Sequence, residues 1–189
     1  MDHRFVKTTP RLAHLLLSLA IISLSACSVP RSVKEGGTIP GQQVIPAKKV
    51  LVLAIKDGQE QGQPPAVGSG AGLAAALRKA LVGHNIPVAI TADTTVEQGF
   101  ADATRNDSAY VMQATITHWE DNATAWSGKG DQLFISVELY DTNTHELVAA
   151  ATHKRTATGA TFVSGTPDRF MDEVSFGALS KIYGWPQPK

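Results

Sequence analysis

Sulfur chemistry is nearly absent from this sequence: one residue of 189 is a cysteine, Cys27, and it has no second thiol to pair with. A disulfide framework is thereby excluded, and stability has to come from an apolar core. Long apolar runs are missing too. The greasiest stretch, residues 12 to 26, falls short of the roughly 20 residues a helix needs to cross a ~30 Å hydrocarbon core, so it does not read as a permanent span. Nor does charge of one sign dominate, since 17 basic residues face 17 acidic ones. Nucleic-acid binding usually shows as a clustered basic face, and nucleic acid is set aside as a partner.

What the chain does contain begins with an ordered N-terminus. Residues 1 to 11 carry Arg4, Lys7 and Arg11 against the single acid Asp2, a basic head of the kind that stays cytoplasmic during export. The short apolar run follows, and Leu24-Ser25-Ala26-Cys27 closes it. This tetrad resembles the lipobox of bacterial lipoproteins. The resemblance implies cleavage after Ala26, diacylglycerol on the Cys27 sulfur and acylation of the new amine. Two or three acyl chains then give stable anchoring, where one chain gives only marginal binding. The competing reading of Cys27 is a structural thiol at the end of an uncleaved helix. In enteric-type lipoproteins an Asp after the cysteine retains the protein at the inner membrane; Ser28 therefore favours the outer membrane, with the domain facing the periplasm.

Three basic residues and one acid leave with residues 1–26, so the mature chain has 14 against 16, a net charge of −2. A mature length on the order of 160 residues suits one domain with a real core. Residues 27–47 hold three prolines and three glycines with neither helical nor strand periodicity, and they read as a lipidated N-terminus and flexible tether with a reach on the order of 25 Å. Residues 48–189 are expected to form the domain.

Within it, "KKVLVLAI" from Lys48 is a continuous aliphatic run, a strand buried on both faces. Leu73, Ala76, Leu77, Ala80 and Leu81 then recur at helical spacing, with Gly83 placed to end the helix. "IPVAI" at 86–90 reads as a second strand, completing a βαβ unit. Thr94 or Thr95 is an N-cap for a second helix through Phe100 and Ala103. Segments 109–119, 132–141 and 146–155 have strong β character and form consecutive hairpins, with Leu133, Ile135, Val137 and Leu139 on one face. Pro167 and Asp168 open a last helix with Phe170, Val174, Ala178 and Ile182 on one stripe. The expected fold is α/β, one small domain with a mixed sheet of about five strands in the chain order β-α-β-α-β-β-β-α.

That layout resembles the small α/β domains of the curli-secretion lipoprotein, the lipoprotein activators of penicillin-binding proteins and the N-terminal domain of TolB. More specifically, Trp119-Glu120-Asp121, Trp126-Ser127-Gly128 and the strand ending in Asp141-x-x-Thr144, with Gly68-Ser69-Gly70 before the first helix, resemble an uncharacterised family of bacterial lipoproteins known only as a domain of unknown function. The family brings no catalytic residues.

Local features are weighed in turn. "GSGAG" at 68–72 opens a helix, where free amides and the helix dipole suit a phosphate. It lacks the G-x-G-x-x-G spacing and the Lys-Ser/Thr of a Walker loop, so Gly68, Ser69 and Gly70 are weak ligand candidates and a flexible helix start competes with them. His118, Glu120, Asp121 and Asp131 suggest a metal site, but only His118 and Glu120 share a strand face, and a closed site needs more donors. No metal and no cofactor is expected. Ser69 has no G-x-S-x-G elbow and no named base, so hydrolase chemistry is not expected either. Trp119 and Trp126, with Glu120 and Asp121 beside them, are the partner-contact candidates, because tryptophan is enriched at interface hot spots; the competing reading is that they cover the end of the sheet. His153, Lys154 and Arg155 read as an exposed basic edge. The functional expectation is a non-enzymatic binding or assembly module anchored to the outer membrane, engaging an envelope protein or peptidoglycan. The alternative is a periplasmic ligand binder or enzyme using Gly68–Gly72.

Overall fold

The computed structural model of the chain describes residues 31–122, 130–157 and 165–186. Its elements are β1 (Arg31–Thr38), β2 (Val50–Val52), α1 (Ser69–Gly83), β3 (Val88–Ile90), α2 (Val96–Arg105), β4 (Tyr110–Glu120), β5 (Gln132–Asp141), β6 (Leu147–Thr156), a 3-10 turn (Pro167–Phe170) and α3 (Met171–Tyr183). They build one six-stranded sheet in the order β1-β6-β5-β4-β2-β3. β2 runs parallel to β3 and β4, and the other neighbours are antiparallel. The class is the α/β one expected, with one strand more than expected.

The apolar patterns account for the layering. β2 is buried on both faces because helices cover both sides of it. Val50 and Val52 join Leu73, Leu77 and Leu81 of α1 and Val174, Ala178 and Ile182 of α3 in the larger core, while Leu51 joins Leu53, Ala103 and Val111 in a smaller one under α2. Every second residue of β5 from Leu133 to Leu139 enters the larger core. Thr95 caps α2, with the Gln98 amide donating to its hydroxyl at 3.4 Å. Past α1, the left-handed residue is Asn85 at φ 59° rather than Gly83. Among the described residues no helix is long and apolar enough to cross a membrane.

Two expectations are corrected. Arg31–Thr38, read as tether, is the edge strand β1, paired along its length with β6. Only Val33 in it is apolar, so the pairing comes from backbone bonds to β6 and contact with α3 rather than from a pattern of its own. The basic edge at 153–155 is also not an edge: β6 lies between β1 and β5, and His153 is fully buried.

Candidate functional site

The pole where β4 ends collects most of the residues singled out above. A bulge between Ile116 and His118 resets the alternation of β4. Trp119 consequently pairs with Leu133 on the core face, while His118 and Glu120 pair with Phe134 and Gln132 on the other. Trp119 is 6% exposed and sits in the larger core, not at a surface. It is therefore a packing residue and not an interface anchor. Trp126 lies outside the described residues, as does Cys27.

His118 and Glu120 do converge. The His118 Nε2 is 3.3 Å from Glu120 Oε2, the Gln132 amide donates to the same oxygen, and the imidazole lies 4.8 Å from the Phe134 ring. With the loop Gln59–Gly62 they line an open cleft of about 570 Å3. Asp131, expected near them, is instead buried and paired inward, accepting from Arg169 Nη2 at 2.5 Å and from the Asn122 amide at 3.0 Å. Asp121 is half-buried, and its carboxyl is pushed up chiefly by burial, then by Asp131, Glu60 and Asp168, with Arg169 opposing. Among the described residues no group of three or more His, Cys, Asp or Glu side chains is placed to hold a metal ion.

The glycine-rich start of α1 is already filled. Gly68 N–H donates to Asp57 Oδ2 at 3.1 Å and Gly70 N–H to Oδ1 at 2.8 Å, so a side-chain carboxylate stands where a phosphate would. Those bonds, Gly70's first, hold the Asp57 carboxyl below its ordinary range. Gly70 is required by contact: a Cβ there would stand 2.1 Å from the Ile55 carbonyl oxygen. Ser69 is 2% exposed and accepts from the Gly58 amide at 2.8 Å, a structural bond that leaves it no access to a substrate. The three ligand candidates thus form an internally satisfied turn. Only the Asp-Gly of "KDGQ" hints at this in sequence, and it does not reveal which amides the carboxylate reaches.

A second buried constellation had no sequence signal. His153 Nδ1 lies 3.2 Å from the Val174 carbonyl, which requires the hydrogen on Nδ1, so Nε2 accepts from the Ser32 hydroxyl at 2.7 Å. One imidazole thereby ties β1, β6 and α3 together. Burial pushes its pKa down, and Lys34 and Arg155 add to this; the Val174 bond and Glu173 oppose.

These arrangements position structure more clearly than they position a reacting atom, and relatives in sequence are informative. A family model for a domain of unknown function, DUF4823, matches residues 43–174. The chain belongs to this family. The matched segment runs from before β2 into the first turn of α3 and leaves β1 outside it. No curated protein matches the chain. Among solved structures it is similar in fold to PelC from Paraburkholderia phytofirmans, a dodecamer, at 16% identity and TM-score 0.58 over 81% of this chain and 96% of that one. Lipoprotein GNA1162 from Neisseria meningitidis is matched at 13% identity and TM-score 0.47 over 62% of this chain and 88% of that one. A DUF330 protein from Xanthomonas campestris is matched at 10% identity and TM-score 0.47, over 75% and 86%.

Proposed function

We propose that the chain is a non-enzymatic binding or assembly module, held by lipid on Cys27 at the periplasmic face of the outer membrane and engaging a protein of the envelope. The observation that carries this is the half-open sheet. On the face opposite α1 and α3, α2 packs on β2 and β4, while the outward side chains of β5 and β6, Phe134, Ser136, Glu138, Ala150 and Thr152, stay half-exposed. With Phe134 between His118 and Lys154 and the hydroxyls of Ser136 and Thr152 further along the strands, that mixed face suits a macromolecular surface better than a small substrate. The filled start of α1 argues against the ligand-binding alternative. The resemblance that the sequence layout bears to the curli-secretion and penicillin-binding-protein-activator lipoproteins and to the N-terminal domain of TolB is in keeping with assembly work. PelC is a dodecamer, so a second copy of this chain is one form the partner can take.

The test is photo-crosslinking of the native lipidated chain in its own envelope, with the crosslinker at Phe134, at Thr152, or at Lys79 on α1. Defined adducts from Phe134 and Thr152 but not from Lys79 support the reading. Adducts only from Lys79, or none, overturn it.

A further inference from the structure

We propose that the pole of the domain formed by the start of β1, the end of β4 and the start of α1 lies against the membrane surface, with the opposite pole turned away from it. This rests on the reading that Cys27 carries the lipid. β1 begins at Arg31, four residues after Cys27. Chain covers at most about 3.6 Å per residue, so the anchored cysteine is no more than roughly 14 Å from the sheet, against the ~25 Å expected of a tether.

Strand register carries that proximity across the domain. Arg31 pairs with Thr156, Thr156 with Gln132, and Gln132 with Glu120, placing the four in a row. Three strand spacings of about 4.8 Å bring the row to Glu120 in roughly 14 Å. β2 pairs with the first residues of β4 and points along it, and the loop that follows runs on to this same pole, where Gln59–Gly62 line one cleft with Thr117 to Glu120; Gln61 and the 92%-exposed Val67 are on that loop. The opposite pole holds Thr38, whose hydroxyl donates to Ile182 O at the end of α3, and the β5–β6 turn around Asn143. Strands of eight to eleven residues separate the poles by roughly 25 to 35 Å. Charge does not drive this placement, because acids (Glu60, Glu120, Asp121) and bases (Arg31, Lys154, Arg155) are mixed at the near pole; the short chain imposes it.

The experiment uses the full lipidated chain in phosphatidylethanolamine/phosphatidylglycerol vesicles containing a lipid with a nitroxide on its headgroup. A single fluorophore is placed through Gln61→Cys or Asn143→Cys, both exposed loop positions. Quenching is expected to be several-fold stronger at 61 than at 143. A Gly/Ser insert of about ten residues after Pro30, whose reach grows with the square root of its length, should erase the difference. Equal quenching in the uninserted chain that still sediments with vesicles overturns the orientation alone. A chain that stays in the supernatant, with no acyl mass on Cys27, overturns the anchoring and the orientation together.

Discussion

Gly177 of α3 makes room for His153 of β6: a Cβ at position 177 would stand 2.0 Å from the imidazole Nδ1. The buried ring, its bond to Val174 and its bond to Ser32 all depend on that missing side chain. Gly177→Ala should gain a little helix propensity, up to ~1 kcal/mol, and lose more through overpacking, typically about 1–3 kcal/mol. The net is a lower urea midpoint. In a His153→Ala background the same change should cost less or even stabilise, because the clash is gone, and a double-mutant cycle with no coupling would sink this account.

The same histidine sets a pH dependence. Its folded-state pKa is lowered by burial, so near pH 6 the unfolded chain binds more protons than the folded one, and stability rises with pH there. Stability from this group is complete above about pH 6.5, the ordinary histidine value, and falls as pH drops below it towards the folded-state value. The charged groups facing the ring are Lys34, Glu173 and Arg155. Urea midpoints measured from pH 7.5 to 5 should therefore fall in the wild type and fall less in His153→Gln. Parallel curves for the two would remove His153 as the cause.

Asp57 governs the start of α1. Its carboxyl is held low by the amides of Gly70 and Gly68, so its contribution is present above the ordinary aspartate range and lost as pH falls through the lowered value. Asp57→Asn keeps one acceptor and Asp57→Ala keeps none. The melting temperature should accordingly fall in the order wild type, Asn, Ala, and the acid-side loss should be shallower in both variants. Sulfate should raise the melting temperature of Asp57→Ala more than that of the wild type, because the vacated amides then face an anion. An identical sulfate response in the two would show that the amides were never the carboxylate's to hold.

Much of the fold was legible because its signals are local. Leu73, Leu77 and Leu81 repeat at helical spacing, Leu133 to Leu139 alternate, and Thr95 precedes a helix it can cap; each pattern needs only its own segment to be read. What was hidden depends on segments far apart in sequence. β1 has one apolar residue in eight and becomes a strand only by pairing with β6, more than a hundred residues on. The same holds for the site. Asp57 meets Gly68 and Gly70 only after the loop folds back, and His153 looks like the start of a basic edge until β1 closes over it.

Trp119 separates the structural from the binding interpretation of the β4 pole most directly. By strand alternation alone Met112, Ala114 and Ile116 would carry His118 inward and Trp119 outward; the bulge reverses this and buries the indole beside Ile116 and Gly58. Gly58 admits it, since a Cβ there would stand 2.9 Å from Ile116 and 3.0 Å from the indole. Trp119→Ala should therefore cost about 3–5 kcal/mol of stability as a large-to-small core change, with Trp119→Phe costing less. A true interface anchor would behave otherwise, losing partner capture while the denaturation curve stayed in place. If Trp119→Ala unfolds at the wild-type urea concentration, the indole is not part of the core and the bulge does not do what is described for it.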